Sequence, residues 1–257
     1  MTSWNALTIK GLCDAYLTFE IPEYLDLAEN AIHFILENQW KNETLFRNYK
    51  DKQTTIPGFL DDYALMIEAL IKLFEITSEI KYLETAQTLT EETFNQFYNH
   101  KNKMFAYKSH YDTPLVNETF EIYDNVISSS NSVMATNLFK LGKILNEEKY
   151  IEQAKQMLTN IDEKIHDYPT GFANWIQLYL NFSYPFKEIV IVGNEAQKYS
   201  KQIQQCYVPN AIFVASETEQ LEITKNRLIE NKTSIHICEN YACQLPIFSI
   251  EEAYKNL

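Results

Sequence analysis

The hydrophobic pattern predicts paired helices in the first two thirds of the chain. Across residues 79–97, apolar or small side chains recur every three or four positions, which gives one apolar face and one polar face. The preceding segment, residues 63–76, is polar only at Glu68, Lys72 and Glu75. A helix that is apolar on nearly all sides is buried between its neighbours. The pattern therefore predicts a buried inner helix followed by an amphipathic outer helix.

This pairing recurs along the chain. Similar six-residue segments surround Tyr24, Tyr82 and Tyr150, with steps of 58 residues (24 to 82) and 68 residues (82 to 150). Outer helices are predicted at 22–39, 79–97 and 147–163, and inner helices are predicted to begin near Trp4, Asp62, Asn131 and Asn174. Such layers are typical of an (α/α) toroid, and a superhelical solenoid is the alternative. Solenoid units are usually about 34–47 residues long, which favours the toroid.

The spacing of apolar residues changes after Pro185, from the helical pattern to short apolar runs that alternate with helical segments. Strands are predicted at 187–193, 211–215 and 234–238, helices at 195–205 and 218–230, and a last helical turn at 250–256. Strands that alternate with helices indicate a small parallel sheet. The predicted fold class is therefore mainly α, a partial (α/α) toroid of helical hairpins followed by a small α/β tail. The predicted domains are 1–185 and 186–257.

Two long connections, 41–60 and 98–130, precede the second and third inner helices. Connections of this length without helices are usually functional, and a toroid gathers them on one face with the inner helix N-termini. Aromatic rings beside amide and carboxylate side chains suit sugars, whose C–H faces stack while their hydroxyls bond directionally. The residues predicted to bind substrate on this face are Trp4, Asn5, Tyr63, Tyr123, Asp124, Asn125, Asn131, Asn174 and Trp175.

The adjacent acids Asp61 and Asp62 are the predicted catalytic residues. One carboxylate at a helix start can cap the helix, where it accepts N–H groups at the positive end of the dipole. A cap explains one acid better than two neighbours. We therefore expect one carboxylate to cap the helix while the other faces a ligand as a general acid or base.

The composition of the chain disfavours some classes of binding partner. The chain has 257 residues, a formal net charge of −13 and two arginines, Arg47 and Arg227, which disfavours nucleic acid and anionic membranes as partners. It has no apolar run of membrane-spanning length and no signal-peptide pattern, so a cytoplasmic location is predicted. Its histidine spacings indicate no metal, and no cofactor is predicted. Cys238 and Cys243 match neither a C-x-x-C redox motif nor half of a four-ligand zinc site.

Four motifs together resemble one family, the thioredoxin-domain proteins typified by spermatogenesis-associated protein 20. The motifs are Thr2-Ser3-Trp4-Asn5-Ala6-Leu7, Gly58-Phe59-Leu60-Asp61-Asp62-Tyr63-Ala64, Asp124-Asn125-Val126-Ile127 with Ser129-Ser130-Asn131-Ser132, and Cys238-x4-Cys243-Gln244-x-Pro246. The resemblance implies a six-hairpin toroid similar to glycosidases and N-acylglucosamine 2-epimerases, preceded by a thioredoxin-like domain. Because this chain begins inside the first motif, it lacks the thioredoxin-like domain and the early hairpins of such a protein. We therefore expect a C-terminal portion or a truncated gene product, with a separately encoded thioredoxin-like domain as a candidate partner.

Two functions follow as hypotheses. The first is a carbohydrate-binding or carbohydrate-active toroid, degenerate or completed by other hairpins, with a sugar or sugar derivative as its ligand. The second is a non-catalytic interaction or redox-accessory module. An open arc of hairpins also leaves apolar flanks on its first and last inner helices, which predicts a homo-oligomer with the tail covering one edge.

Overall fold

Helical hairpins build the larger part of the molecule. The computed structural model describes residues 1–112 and 118–257, so residues 113–117 of the predicted connection 98–130 lie outside the described residues. The hairpins comprise α1 (Thr2–Phe19) with α2 (Pro22–Gln39), α3 (Leu60–Thr77) with α4 (Ile80–Phe97), and α5 (Ser130–Leu145) with α6 (Glu148–Thr159). A short α7 (Asp162–Asp167) and a 3-10 turn (Pro169–Phe172) then lead into α8 (Ala173–Ser183).

The inner and outer layers are as predicted. Helix α3 packs between α1 and α5, and α5 packs in turn on α8, so these four inner helices form a row. Helix α3 is buried on nearly every side, whereas α4 buries one face through residues such as Tyr82, Ala86 and Leu89. The alternation of buried and amphipathic segments therefore identified the inner and outer helices correctly.

The same turn ends the inner helix of each of the three hairpins. Glu20, Ser78 and Asn146 adopt left-handed backbone conformations, with φ of 56°, 63° and 58°. The N–H of each of these residues donates to a carbonyl in the last helical turn, which satisfies a group that the helix end would otherwise leave unpaired. The chain can then reverse at once into the outer helix.

Two small antiparallel hairpins follow the first two outer helices. Strands β1 (Trp40–Lys41) and β2 (Thr44–Leu45) follow α2, and β3 (Tyr98–Asn99) and β4 (Met104–Phe105) follow α4. The backbone N–H of Leu60 donates to the carbonyl of Tyr107 at 3.0 Å, so the second connection also contacts the start of α3. Both connections therefore lie beside the N-terminal end of that inner helix.

The tail is a four-stranded sheet in the order β6-β5-β7-β8. Its strands are β5 (Lys187–Val192), β6 (Ala211–Ser216), β7 (Ser234–Glu239) and β8 (Ala242–Cys243), and its helices are α9 (Ala196–Gln204) and α10 (Ile250–Asn256). One face of the sheet, with Val190, Val192, Ile212 and Val214, joins the helical core, and the other face packs on α9 and α10.

Two sequence predictions for the tail are wrong. The sheet is mixed, because β5 is parallel to β6 but antiparallel to β7. The predicted helix 218–230 is replaced by a 3-10 turn (Glu222–Thr224) and loop. The carboxylate of Glu219 accepts the backbone N–H groups of Arg227 and Leu228, which folds this segment back on itself.

The tail lies across the C-terminal ends of α3 and α5, and α9 also reaches the end of α1, where Lys201 lies over the ring of Tyr16. Its predicted place over one edge of the arc stays a prediction. Side chains of α9 reach the end of α3, where the Gln204 amide donates to the carbonyl of Glu75 at 2.7 Å. Because sheet and helices share one core, the division into 1–185 and 186–257 stays a prediction. Association also stays a prediction, with Trp4, Phe19 and Tyr179 exposed on the outermost inner helices but Ile9 and Trp175 buried.

Candidate functional site

Asp62 fastens the start of α3 to its surroundings. Its carboxylate accepts the backbone N–H of Ser3 at 2.9 Å and that of Phe59 at 3.1 Å, and it lies 2.8 Å from the Arg47 guanidinium. The side chain is fully buried. Burial and the neighbouring Asp61 charge raise the pKa of Asp62, against the opposing charge of Arg47. These contacts use both carboxylate oxygens inside the fold, so Asp62 has a structural task, and the catalytic role predicted for it stays a prediction.

Asp61 is the partly open member of the pair. Its side chain is 20% exposed, and both oxygens lie near Arg47, at 2.9 and 3.1 Å. Burial, together with the nearby Asp61 carboxylate, raises the pKa of Tyr107 to about 12. The rings of Phe59 and Tyr107 stack 5.2 Å apart, and Arg47 lies over Phe59 at 5.0 Å. Asp61 therefore lies beside aromatic rings and a guanidinium and remains partly exposed.

Asp124 joins the starts of two inner helices. One oxygen accepts the N–H of Ser129 at 2.8 Å and the hydroxyl of Ser132 at 2.7 Å, both at the start of α5. The other oxygen accepts the N–H of Asn174 at 2.8 Å, at the start of α8. The Asn174 amide also donates to the Ser132 hydroxyl at 2.9 Å. Asp124 thus acts as a double helix cap.

Three other predicted ligand-binding side chains are buried in structural hydrogen bonds. The Asn131 amide pairs with both backbone groups of Phe105, at 2.9 and 3.0 Å. The Tyr63 hydroxyl accepts the N–H of Leu45 at 2.8 Å, and the Trp175 indole donates to the carbonyl of Ile122 at 2.9 Å. Each holds a connection against an inner helix.

The remaining predicted site residues are open to solvent. Trp4 is 61% exposed and Tyr123 is 56% exposed, and Asn5 and Asn125 are also exposed. The Asn5 amide donates to the carbonyl of Met1. The predicted set is therefore divided among helix caps, buried anchors and exposed side chains.

The inner helices also line a polar groove of about 490 Å³, which the sequence analysis did not predict. Its walls include Lys10 of α1, Glu68 of α3, Asn137 and Lys140 of α5, and Asn174 of α8. Tyr207, from the loop between α9 and β6, lies at its margin. The signal in the sequence was the presence of charged residues such as Glu68 and Lys72 on an otherwise apolar inner helix.

Asn137 is the most unusual residue of this groove. Its side chain is 1% exposed, and its amide nitrogen donates to the carbonyl of Ala64 at 2.7 Å. Within the described residues, its amide oxygen has no hydrogen-bond donor. A buried acceptor without a partner costs about 1–3 kcal/mol, so this oxygen would gain from a ligand or water that donates to it.

The described residues contain neither a metal-binding cluster of side chains nor a membrane-spanning helix. Across 1–112 and 118–257, no group of three or more His, Cys, Asp or Glu side chains is placed to hold a metal ion. In the same residues, none of the helices has the length and apolarity needed to cross a membrane.

The fold and these helix-capping clusters define a mainly α protein of the (α/α) toroid type. It is similar to a GH76 α-mannanase of Bacteroides thetaiotaomicron, with a TM-score of 0.56 and 20% identity over 86% of this chain and 64% of that one. It is also similar to a cellobiose 2-epimerase of Bacillus thermoamylovorans, with a TM-score of 0.51 and 15% identity over 64% of this chain and 44% of that one. These likenesses confirm the predicted fold.

Sequence relatives confirm the resemblance seen in the motifs. The chain is 25% identical to spermatogenesis-associated protein 20 of Rattus norvegicus over 96% of its own length, and 23% identical to the protein of that name in Homo sapiens, again over 96%. It spans 34% of the length of each of these relatives. No family model matches the chain.

Proposed function

We propose that this chain binds a carbohydrate in the groove between its inner helices. The observation that carries the proposal is the Asn137 amide oxygen, a buried acceptor without a donor in the described residues, in the wall of a concave polar groove. Ligand sites are concave and contain a few fixed polar groups. This oxygen lacks a hydrogen-bond donor, and a sugar hydroxyl is a small polar group that can donate one hydrogen bond.

The charges of the groove favour a neutral ligand. Lys10 pairs with Glu68 at 2.8 Å, Lys72 with Asp14 at 3.0 Å, and Lys140 with Glu75 at 3.7 Å. Each ammonium group is thus balanced by a carboxylate but keeps further N–H donors. The groove offers donors and acceptors without a large net charge, which suits a polyhydroxyl compound better than a polyanion.

An aromatic ring and the fold neighbours support the same ligand class. Tyr207 is 91% exposed at the margin of the groove, where its ring is free to stack on the C–H face of a sugar. The neighbours named above are an α-mannanase and a cellobiose 2-epimerase, and they share the fold. In this proposal, Asp61 is the carboxylate at the helix starts that remains open to an extended ligand. A cytoplasmic location and a separately encoded thioredoxin-like partner remain predictions.

Isothermal titration calorimetry tests the proposal. The purified chain is titrated with mannose, N-acetylglucosamine, mannobiose and cellobiose, and at least one should give saturable binding. Glu68→Gln removes a charged acceptor from the groove and should weaken that binding about tenfold, or about 1.4 kcal/mol. Glu84→Gln, an exposed change on α4, is the matched control and should bind normally. Absence of saturable binding by the folded chain would contradict the proposal.

A further inference from the structure

The disulfide between Cys238 and Cys243 crosses the edge of the sheet in the tail. The two residues are direct partners in the antiparallel pair of β7 and β8, and a two-residue turn at Asn240 and Tyr241 joins the strands. Both turn residues have positive φ, 49° and 64°, which fits the tight turns of β-hairpins. Cys238 is fully buried, whereas Cys243 is exposed on the outermost strand. One sulfur therefore faces solvent and the other faces the protein.

A guanidinium contacts the exposed sulfur. The Arg227 Nη2 lies 3.0 Å from Cys243 Sγ, and its Nη1 donates to the carbonyl of Ile223. The Glu219 carboxylate fixes the backbone of Arg227 through a 2.7 Å hydrogen bond. A cation beside a cysteine sulfur stabilises the thiolate, which is the reactive form in thiol–disulfide exchange. Arg227 thus favours Cys243 as the nucleophile of the pair.

The hairpin is held in place by contacts other than the disulfide. The buried Lys143 of α5 lies 3.0 Å from Glu188 of β5 and donates to Asn240 in the turn at 3.2 Å. The other oxygen of Glu188 accepts the N–H of Tyr241 at 2.9 Å. The turn is therefore anchored on the helical core. Reduction would leave the two sulfurs facing each other and ready to pair again.

We propose that Cys238 and Cys243 form a redox-active pair that exchanges electrons with thiol and disulfide groups of another molecule. In the reduced chain, the Cys243 thiolate attacks a partner's disulfide, forms a mixed disulfide and releases one partner thiolate, which takes up a proton. The Cys238 thiol then loses its proton, and its thiolate attacks Cys243 Sγ. This step breaks the mixed disulfide, releases the second partner thiolate and restores the internal disulfide.

The balance of this cycle is two electrons and two protons. They pass from the cysteine pair to the partner's disulfide, which becomes a dithiol. A dithiol reductant resets the pair in two steps: one of its thiolates attacks the exposed Cys243 Sγ and Cys238 leaves as the thiolate, and the reductant's second thiolate then displaces Cys243 and forms the reductant's own disulfide. The exposed sulfur is attacked or attacks first in both directions, and the buried sulfur resolves the mixed disulfide when the pair reduces a partner.

Alkylation of the intact chain tests the proposal. The chain is equilibrated in dithiothreitol buffers of graded potential, and the free thiols are counted by iodoacetamide labelling and mass spectrometry. We expect the folded protein to gain two labelled sites, at Cys238 and Cys243, on reduction. Cys206 is a free, exposed cysteine in the same chain and serves as the internal control. Reduced Cys243 should react at least fivefold faster than Cys206 at pH 7.

Variants separate the two roles. Cys238→Ser should accumulate a mixed disulfide at Cys243 with oxidised glutathione, whereas Cys243→Ser should not react at the buried Cys238. Arg227→Gln should move the midpoint of the pH profile for Cys243 alkylation to higher pH, and Arg227→Lys should restore it in part. A pair that stays oxidised in 10-fold excess dithiothreitol while the chain remains folded would overturn the proposal. So would a Cys243 that reacts no faster than Cys206.

Discussion

At the scale of single residues, the buried carboxylate of Asp62 joins the starts of the first two inner helices. Asp62→Asn keeps the shape of the side chain but replaces an acceptor oxygen with an amide that must face the donors of Arg47 and Phe59. Because this leaves a partly buried guanidinium without one of its carboxylates, the free energy of unfolding should fall by about 3 kcal/mol. Urea unfolding followed by tryptophan fluorescence measures the loss.

Asp61→Asn is the matched control for that change. Asp61 binds the same guanidinium but is partly exposed, and its loss leaves the buried ion pair of Arg47 and Asp62 intact. The expected cost is about 1 kcal/mol or less. Equal losses in the two variants would show that the adjacent acids share one role.

The buried carboxyl group of Glu92 should make the stability of the fold depend on pH. Its side chain is buried on α4 and touches the Trp40 indole, and burial raises the pKa of this carboxyl to about 7. Because the folded-state pKa lies above the ordinary value, the fold favours the protonated form. The contribution of Glu92 is therefore fully present below pH 4.5 and is lost as the pH rises through about 7.

Glu92→Gln should remove this pH dependence. The variant should be more stable than the parent chain at pH 8.5, and the difference should shrink as the pH falls towards 4.5, as measured by thermal unfolding across that range. Glu84→Gln, on the exposed side of the same helix, should leave the profile unchanged. Parallel profiles for the parent and Glu92→Gln would mean that the carboxyl titrates normally.

The sequence predicted where the candidate residues lie in the fold better than it predicted what each side chain does. Asp61, Asp62, Asp124 and Asn131 all lie at or near inner helix starts, as predicted. Which oxygen is used inside the fold depends on partners distant in the chain, such as Ser3 for Asp62 and Phe105 for Asn131. The helical periodicity of the sequence does not reveal contacts between residues so far apart in the chain.

At the scale of secondary-structure elements, the close packing of α5 on α6 rests on a glycine. A Cβ added at Gly142 would lie 2.5 Å from a side-chain carbon of Ile151 and 3.1 Å from the carbonyl of Glu147. Gly142→Ala should therefore destabilise the chain by about 1–3 kcal/mol, because it forces the two helices apart. Gly11 of α1 has no atom within 4 Å of the same position. Gly11→Ala should instead stabilise the chain by about 0.5–1 kcal/mol.

Chemical denaturation of the two alanine variants decides between packing and helix propensity. If propensity dominated, both substitutions would stabilise the chain. Opposite signs would show that Gly142 is required for the approach of the outer helix.

Helices and strands were predictable where the sequence has a long periodic pattern of apolar residues. They were less predictable where tertiary contacts determine the local backbone conformation. The inner and outer helices followed from their apolar positions. The tail segment 218–230 has helix-forming residues, but Ile223 is buried in the helical core and Asn226 takes a left-handed conformation, so a regular helix stops. The direction of β7 was not predictable, because alternation of side chains is the same in parallel and antiparallel strands.

At the scale of the whole molecule, the tail and the helical hairpins share a core and a buried ion pair. Lys143 and Glu188, both nearly inaccessible, join α5 to β5 at 3.0 Å. Glu188→Ala would leave the Lys143 ammonium buried without its carboxylate, at an expected cost of about 3–5 kcal/mol. Sheet residues such as Val190 belong to the helical core. We therefore expect this loss of stability to affect the unfolding of the whole chain rather than that of the tail alone.

Two probes of unfolding test this coupling. The three tryptophans lie at positions 4, 40 and 175, so their fluorescence reports on the hairpins, while hydrogen exchange of peptides from β5 and β6 reports on the sheet. Both transitions should coincide in the parent chain and move together in Glu188→Ala. Glu195→Gln, which loses an exposed ion pair with Lys198, should shift neither. A tail that unfolds first while the tryptophan transition stays in place would show instead two domains that fold separately.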